Sequence, residues 1–120
     1  MADLVSDDDA TEEVSEIYDE IRERLGSVPN FFRAQAVDPD WLQSSWNRWK
    51  RIMDEEGALD RKTKEMIALS VSFVNDCEYC KNAHEMMARA AGATDEELIE
   101  LREVVELFAS FNSIADSLNV

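Results

Sequence analysis

Both cysteines of this 120-residue chain and its only histidine lie in the segment 65–84, EMIALSVSFVNDCEYCKNAH. Two residues separate Cys77 from Cys80, and His84 follows Cys80 by four. In an α-helix, with about 100° between successive residues, these three side chains share one face. An ionised thiol is a nucleophile and a redox group, and a neighbouring imidazole can accept its proton. The spacing therefore predicts thiol chemistry on one helix.

The residues around the cysteines also supply signals for a helix start and a helix end. Asn75 and Asp76 are suited to cap the first turn, and Gly92 is suited to end the helix. Cys77 is then expected in the first turn. Unpaired amide hydrogens and the positive end of the helix dipole stabilise a thiolate there, which lowers the pKa of a cysteine.

A second helix is predicted immediately upstream, from a cap at Asp60 to Val74. Its residues 66–74 are apolar on almost every side. A helix that is apolar all round is typical of a protein interior. We therefore expect this helix to form the buried centre of the fold.

An antiparallel hairpin of these two helices would bring a carboxylate to the thiols. If the chain reverses near Asn75, Glu65 and His84 lie about 15 and 13.5 Å from the turn, since each helical residue rises about 1.5 Å. The two side chains are then nearly level. Glu65 is expected to face the imidazole of His84 and the thiol of Cys80.

Other roles are open for the same side chains. The two cysteines and His84, with Glu65 as a fourth ligand, have spacings that can close a zinc site, although this chain has enough apolar residues for a core without a structural metal. The cysteines also suit small buried side chains, with His84 as a hydrogen-bonded core histidine and Glu65 as a surface residue. A buried carboxylate level with a histidine is less easily explained in that way, because it is costly without a partner.

Length and pattern predict one small all-α domain. With 45% hydrophobic residues, 120 residues suffice for a single core. Helical stripes and caps recur without strand-like alternation, which predicts a compact bundle of about six helices over residues 11–120. Residues 1–10 are acidic and contain few apolar groups, so we expect a disordered or loosely held arm.

The remaining helices are placed by their caps and apolar stripes. The last helix carries two stripes that together cover about 200° of its circumference, about twice what one core requires. One stripe is therefore left for a partner. The predicted helices are Thr11 to Leu25, ended by Gly26; Pro29 to Ala36; Asp40 to about Glu56, closed by Gly57; and the last, from a Thr94/Glu97 capping box to about Leu118.

The charge of the chain limits its partners and its location. A net charge of -15 at pH 7 argues against nucleic acids and anionic membranes, whose phosphates would be repelled. The chain has no run of about 18 apolar residues and no signal-peptide pattern at its start, which predicts a cytoplasmic protein. In that compartment a C-x-x-C pair is catalytic, redox-sensing or metal-binding rather than a static crosslink. The acidic, lysine-poor composition also predicts a protein from a salt-rich cytoplasm, with an ordinary acidic protein as the alternative.

The segment 65–84 resembles the signature of the carboxymuconolactone decarboxylase and alkylhydroperoxidase D-like superfamily. It consists of Glu65, eleven further residues, C-E-Y-C, three residues and His84. The segments GSVPN at 26–30 and NSIADSLNV at 112–120 resemble its G-x-V-P-N motif and its usual ending, N-x-I-A-D-x-L-G-V. The resemblance covers about residues 11 to 120. It implies an oligomeric all-helical fold, and members with the cysteine pair include peroxidases that are recycled through their disulfide. Tyr79 departs from some of these peroxidases, which have histidine there.

With this resemblance, we expect Glu65 and His84 to act as a proton relay, with His84 as the general base for Cys80. Cys80 attacks the hydroperoxide and becomes a sulfenic acid, and the more exposed Cys77 condenses with it to a disulfide. The resemblance implies an external lipoyl or thioredoxin-like dithiol as reductant. No bound cofactor or metal is expected.

Two other functions are open. A lactone decarboxylase of the same superfamily would need cationic groups for an acidic substrate and would not need both cysteines. A non-enzymatic redox sensor or oligomeric binding protein would form the disulfide without turnover. In either case, the surplus stripe and the resemblance predict a homo-oligomer, a trimer or a dimer of trimers.

Overall fold

The structure, a computed structural model, describes residues 2–120 and consists of six α-helices and one short π-helical segment. No strand occurs within this range, so the prediction of an all-α fold with about six helices is confirmed. None of the helices in the described chain is long and apolar enough to cross a membrane. The helices are α1, Glu12–Leu25; α2, Asn30–Gln35; α3, Pro39–Trp49; α4, Arg61–Val74; α5, Glu78–Ala90; and α6, Asp95–Leu118, with the π-helical segment at Lys50–Asp54.

Most helix boundaries follow from the predicted capping residues. The side chains of Thr11, Asp60 and Thr94 each accept a hydrogen bond from the backbone N–H three residues later, at the starts of α1, α4 and α6. Thr94 and Glu97 form the complete capping box. Gly26 ends α1 in the left-handed conformation, with φ 84°. These caps satisfy backbone groups that a helix end leaves unpaired.

The third helix differs from its prediction at its end. It gives way to the π-helical turn at Lys50 and finishes at Asp54, so Gly57 does not close it. The wider turn contacts α1: Lys50 bonds to Glu20, and Arg24 Nε donates to Asp54 Oδ2 at 2.7 Å. Capping residues and apolar periodicity carry no signal for a π-helical turn or for ion pairs between distant helices.

The chain divides into two compact units, one ending at Glu55 and the other beginning at Glu56. Each has its own buried cluster. In the first unit the cluster consists of Val14, Ile17, Tyr18, Ile21, Val28, Phe32, Ala36, Leu42 and Trp46. In the second it consists of Leu69, Ala88, Ala93, Leu98 and Leu101.

Residues 2–10 form an irregular segment that contacts α1 and α2. The Val5 amide donates to the Arg33 carbonyl at 3.1 Å, and the Tyr18 hydroxyl donates to the Val5 carbonyl at 2.9 Å. Asp7 lies 3.1 Å from the Arg33 guanidinium. The looseness expected of this arm stays a prediction, and its first residue, Met1, lies outside the described residues.

Helix α4 is not buried on all sides, so that prediction is wrong for the single chain. Leu69 is fully buried, whereas Ile67, Val71 and Val74 are 49%, 51% and 68% exposed. The three exposed residues recur at i, i+4 and i+7 and therefore form one outward stripe. In the second unit α4 packs against α5 and α6. Two neighbouring helices cover only part of its circumference.

Helix α6 also has an apolar face that the chain leaves uncovered. Leu98 and Leu101 are buried in the second core, and Val105 packs against it. The second predicted stripe, which consists of Val104, Leu107, Phe111, Ile114 and Leu118, is exposed along its whole length, and Phe108 is exposed with it. The exposed apolar residues of α6 are Ile99, Val104, Leu107, Phe108, Phe111, Ile114 and Leu118.

Candidate active site

The chain reverses between α4 and α5 within three residues. Asn75 caps the end of α4, the Asp76 amide donates to the Phe73 carbonyl at 3.2 Å, and the Cys77 amide donates to the Ser72 carbonyl at 3.1 Å. This pair of bonds is the Schellman motif. Asp76 has the left-handed conformation that the motif requires, with φ 52°. Glycine usually fills this position, but the short polar side chain of aspartate also tolerates it.

Cys77 is the N-cap of α5, which corrects the predicted cap. Asn75 and Asp76 are used in the reversal and do not cap α5, and Cys77 precedes its first turn. The Cys77 sulfur accepts a hydrogen bond from the Cys80 amide at 3.3 Å. Amide hydrogens at a helix start, together with the positive end of its dipole, stabilise a negatively charged sulfur. The corrected position therefore favours a Cys77 thiolate in the reduced protein.

Cys77 and Cys80 form a disulfide in the structure, with their Cα atoms 5.2 Å apart. The sequence predicted that Cys77 is more exposed than Cys80. In the structure both cysteines are partly buried, so their exposure does not distinguish them. The two sulfurs can bond because a spacing of three residues places them on the same face at the helix start. The structure thus holds the oxidised form of the pair.

Glu65 is fully buried on α4, and both of its carboxylate oxygens have a partner. Oε2 lies 3.0 Å from His84 Nδ1 on α5, and Oε1 accepts a hydrogen bond from Arg61 Nε at 3.1 Å. The packing of α4 on α5 brings Glu65 level with His84, as the hairpin argument requires. With a carboxylate as acceptor, the neutral imidazole carries its hydrogen on Nδ1. Nε2 is then the nitrogen that can accept a proton.

Sequence reasoning missed Arg61. It is the first residue of α4 and lies one helical turn before Glu65. Acidic and basic side chains four residues apart on a helix are neighbours, and this spacing was the available signal. The Arg61 side chain is 35% exposed, whereas that of Glu65 is completely buried. Arg61 therefore links a buried negative charge to the protein surface.

An ion pair brackets the disulfide in sequence. Asp76, the residue before Cys77, accepts a hydrogen bond from Lys81, the residue after Cys80, at 2.5 Å. The hydrogen bond from Lys81 holds the pKa of Asp76 below its ordinary value, and the same bond raises the pKa of Lys81. Because Asp76 is exposed, the pair adds little stability. Its effect is to hold opposite charges together at the helix start.

The potential zinc ligands have other partners in this structure. The cysteines are bonded to each other, and Glu65 is hydrogen-bonded to His84. Within residues 2–120, no group of three or more histidine, cysteine, aspartate or glutamate side chains is arranged to hold a metal ion.

A groove of about 450 Å³ lies on the second unit along α4 and α6. Its described lining does not include either cysteine, Glu65 or His84. The groove is thus separate from the candidate site. Its lining residues are Lys62, Thr63, Met66, Ile67, Ser70, Glu97, Glu100, Leu101 and Val104.

Comparisons with known proteins support the same fold. The carboxymuconolactone decarboxylase family matches residues 39–120 of this chain. A crystal structure of the alkylhydroperoxidase AhpD core from Rhodospirillum rubrum is similar over the whole chain, with a TM-score of 0.95 and 36% sequence identity. The match covers 100% of this chain and 91% of that one.

Curated relatives match shorter segments. An alkyl hydroperoxide reductase of Mycobacterium tuberculosis is 32% identical over 82 residues, which are 68% of this chain and 24% of that protein. The alkyl hydroperoxide reductase AhpD of Corynebacterium kroppenstedtii is 28% identical over 90 residues, or 74% and 49% of the two chains. An uncharacterized protein of the cox locus of Paracoccus denitrificans is 40% identical over 50 residues, or 42% and 45%. This chain thus spans less than half the length of these relatives.

Proposed function

The chain belongs to the carboxymuconolactone decarboxylase family, and from this premise we propose that it is a thiol-dependent peroxidase that reduces hydroperoxides through Cys77 and Cys80. One observation carries the proposal: the cysteine pair at a helix start is followed, one turn after Cys80, by a histidine bonded to a buried carboxylate. Relatives named as alkyl hydroperoxide reductases support the same class of reaction.

The first half-reaction uses Cys80, His84 and Glu65. His84 Nε2 takes the proton of the Cys80 thiol, and Glu65 stabilises the resulting imidazolium through Nδ1. The thiolate attacks one oxygen of the hydroperoxide and the O–O bond breaks. His84 returns the proton to the departing oxygen, which leaves as an alcohol or as water. Cys80 is oxidised by two electrons to a sulfenic acid.

The second half-reaction uses Cys77. The Cys77 thiol loses its proton, and its thiolate attacks the sulfur of the Cys80 sulfenic acid. An S–S bond forms, and the hydroxyl group takes up a proton and leaves as water. An external dithiol, of the lipoyl or thioredoxin-like kind, then reduces the disulfide by two successive exchange steps. The sequence of steps balances without a bound cofactor or metal. The partners are thus a hydroperoxide and a reducing dithiol, with no role for nucleic acid or membrane.

We also propose that the protein is a homo-oligomer, a trimer or a dimer of trimers. The exposed apolar stripes of α4 and α6 support this proposal, because large exposed apolar surfaces mark interaction sites. The proposed location is the cytoplasm, and the low lysine content and charge of -15 support a salt-rich one.

A lactone decarboxylase is the alternative that the family itself raises. Such an enzyme would bind an acidic substrate through cationic groups and would retain activity without the cysteines. A redox sensor or binding protein, by contrast, would form the disulfide but consume no peroxide beyond a free-thiol control.

Hydroperoxide consumption tests the proposal directly. The wild-type protein and the Cys77→Ser/Cys80→Ser double variant are each assayed with an alkyl hydroperoxide and either dihydrolipoamide or a thioredoxin system. We expect catalytic turnover in the wild type and none in the double variant. Equal rates for both proteins would contradict the peroxidase proposal, and lactone decarboxylation that survives in the double variant would favour the alternative.

A further inference from the structure

The two oxygens of the buried Glu65 carboxylate are divided between two different partners. His84 Nδ1 is on one oxygen and Arg61 Nε is on the other, at 3.0 and 3.1 Å. Building on the proposed function, we propose that Arg61 is a positioning residue whose charge keeps Glu65 ionised while His84 is neutral. Only in that state is His84 both correctly oriented and able to accept the Cys80 proton.

The charge of the buried cluster requires a compensating cation. When His84 is neutral, Glu65 and His84 together carry one negative charge, and Glu65 is completely buried. A buried charge is costly unless it is paired. Arg61 supplies the opposite charge without using the oxygen that orients His84. Without Arg61, a proton on His84 would compensate the carboxylate over a wider pH range, and a protonated imidazole cannot act as a base.

Two other cations of the second unit are paired with carboxylates other than Glu65. Lys62 on α4 bonds to Glu97 on α6 at 2.8 Å, and Arg102 on α6 bonds to Glu85 on α5 at 3.1 Å. Because these cations are held by carboxylates other than Glu65, we do not expect them to substitute for Arg61. The charged residues of the three helices of this unit are Arg61, Lys62, Lys64 and Glu65 on α4; Glu78, Lys81, Glu85 and Arg89 on α5; and Asp95, Glu96, Glu97, Glu100, Arg102, Glu103, Glu106 and Asp116 on α6.

Removal of the Arg61 charge has a defined effect on the pH dependence of the site. A positive charge disfavours protonation of nearby groups, so without it the site as a whole should release its protons at higher pH. The reactivity of Cys80 should then begin to rise at a higher pH than in the parent protein. Arg61 is partly exposed and acts through one intervening side chain. We therefore expect the pH profile of Cys80 reactivity to be displaced by roughly 0.5 to 1 pH unit.

Alkylation of a single thiol measures this displacement without any peroxide. In the reduced Cys77→Ser background, the rate of iodoacetamide reaction at Cys80 is recorded from about pH 5 to pH 10 for Arg61→Gln, Arg61→Lys and Lys62→Gln. Lys62 is a matched control because it is the next residue of α4 and its side chain has nearly the same exposure, 33% against 35%. We expect the profile to move to higher pH in Arg61→Gln and to stay near the parent profile in Arg61→Lys and Lys62→Gln.

The outcomes separate this inference from a structural role and from the proposed function. A lower rate at every pH without displacement, or equal displacement in Lys62→Gln, would overturn the inference, and so would an Arg61→Lys profile displaced as far as that of Arg61→Gln. Circular dichroism checks that each variant is folded, and Arg61→Met supplies a second uncharged variant if Arg61→Gln unfolds. If the wild type consumes no peroxide but the displacement is found, the proposed function fails and the role of Arg61 stands.

Discussion

The Nδ1 atom of His84 lies 3.0 Å from the Oε2 atom of Glu65, and the two side chains differ sharply in exposure, 29% for the imidazole and 0% for the carboxylate. The carboxylate is therefore held in the interior of the second unit while the ring reaches the solvent side. Such a pair can stabilise an imidazolium through its buried end and exchange a proton at its open end. This combination is what a thiol needs from a base that must later return the proton.

The variant Glu65→Gln tests this relationship. Glutamine has nearly the same shape and can still accept from Nδ1, but it cannot stabilise the imidazolium by charge. We expect sulfenic acid formation on Cys80 to slow by about 100-fold, at the lower end of the usual range for acid–base catalysis. The measurement is the rate of peroxide oxidation in the Cys77→Ser background, followed by dimedone labelling and mass spectrometry. Glu103→Gln, an exposed change on α6, is the matched control, and an equal rate in both variants would contradict the relay.

The helical hairpin and the Glu65/His84 pairing were accessible from the sequence because they depend on local rules. The Asp60 cap fixes where α4 begins, and the constant rise of a helix then determines which residues are level across an antiparallel turn. The alignment of α4 with α5 therefore follows from the position at which the chain reverses. That position was signalled by polar residues at 75 and 76.

Features that depend on tertiary contacts or on rare backbone geometry were not accessible. Asp76 has the left-handed conformation at a position that glycine usually occupies, so the sequence did not reveal the reversal motif. As a result, Cys77 was predicted one position too far into α5. The burial of α4 was overestimated because an all-round apolar helix does not reveal which of its faces the same chain covers. Arg61 carried a readable i, i+4 spacing, but its importance follows from the burial of Glu65.

The proposed assembly predicts a specific effect of Phe111→Lys. Phe108 and Phe111 are 53% and 52% exposed, and their rings meet edge to face with centroids 6.0 Å apart. A lysine within this apolar stripe would bury a charge in the interface, so we expect dissociation to the 13.7 kDa monomer. Light scattering in high salt gives the mass. Glu106→Gln, an exposed position on the same helix, is the control, since both substitutions raise the net charge by one. A wild-type protein that is a stable monomer would contradict the prediction.

The charge of -15 per chain predicts that salt stabilises the protein. Repulsion among carboxylates is screened over about 10 Å at 0.1 M salt and over about 3 Å at 1 M. We expect the Tm to rise by about 5 °C or more between low and molar potassium chloride, which corresponds to about 1 kcal/mol for a domain of this size. Sucrose at matched osmolality controls for general solvent effects. A Tm that is flat or falls with salt would remove the argument for a salt-rich cytoplasm.

Two opposing effects determine which of the two thiols reacts with peroxide and which with the reductant. Cys77 is the N-cap of α5, and its sulfur accepts a hydrogen bond from the Cys80 amide. The helix start therefore favours Cys77 as the more acidic thiol. Cys80 lies one turn before His84 and its bonded Glu65. Cleavage of the O–O bond requires a proton for the departing oxygen as well as a thiolate, and the Glu65/His84 pair can deliver one. We therefore expect Cys80 to react with peroxide and Cys77 to exchange with the reductant.

Single cysteine variants decide this assignment. Cys77→Ser should leave a Cys80 that peroxide oxidises rapidly and that stalls as a sulfenic acid, because no second thiol is present to condense with it. Cys80→Ser should lose the fast reaction, since the remaining Cys77 has the helix start but not the histidine one turn later. Dimedone labelling followed by mass spectrometry locates the sulfenic acid in each variant. Rapid labelling of Cys77 in Cys80→Ser, with none on Cys80 in Cys77→Ser, would reverse the two roles, because thiolate stability would then outweigh proton delivery.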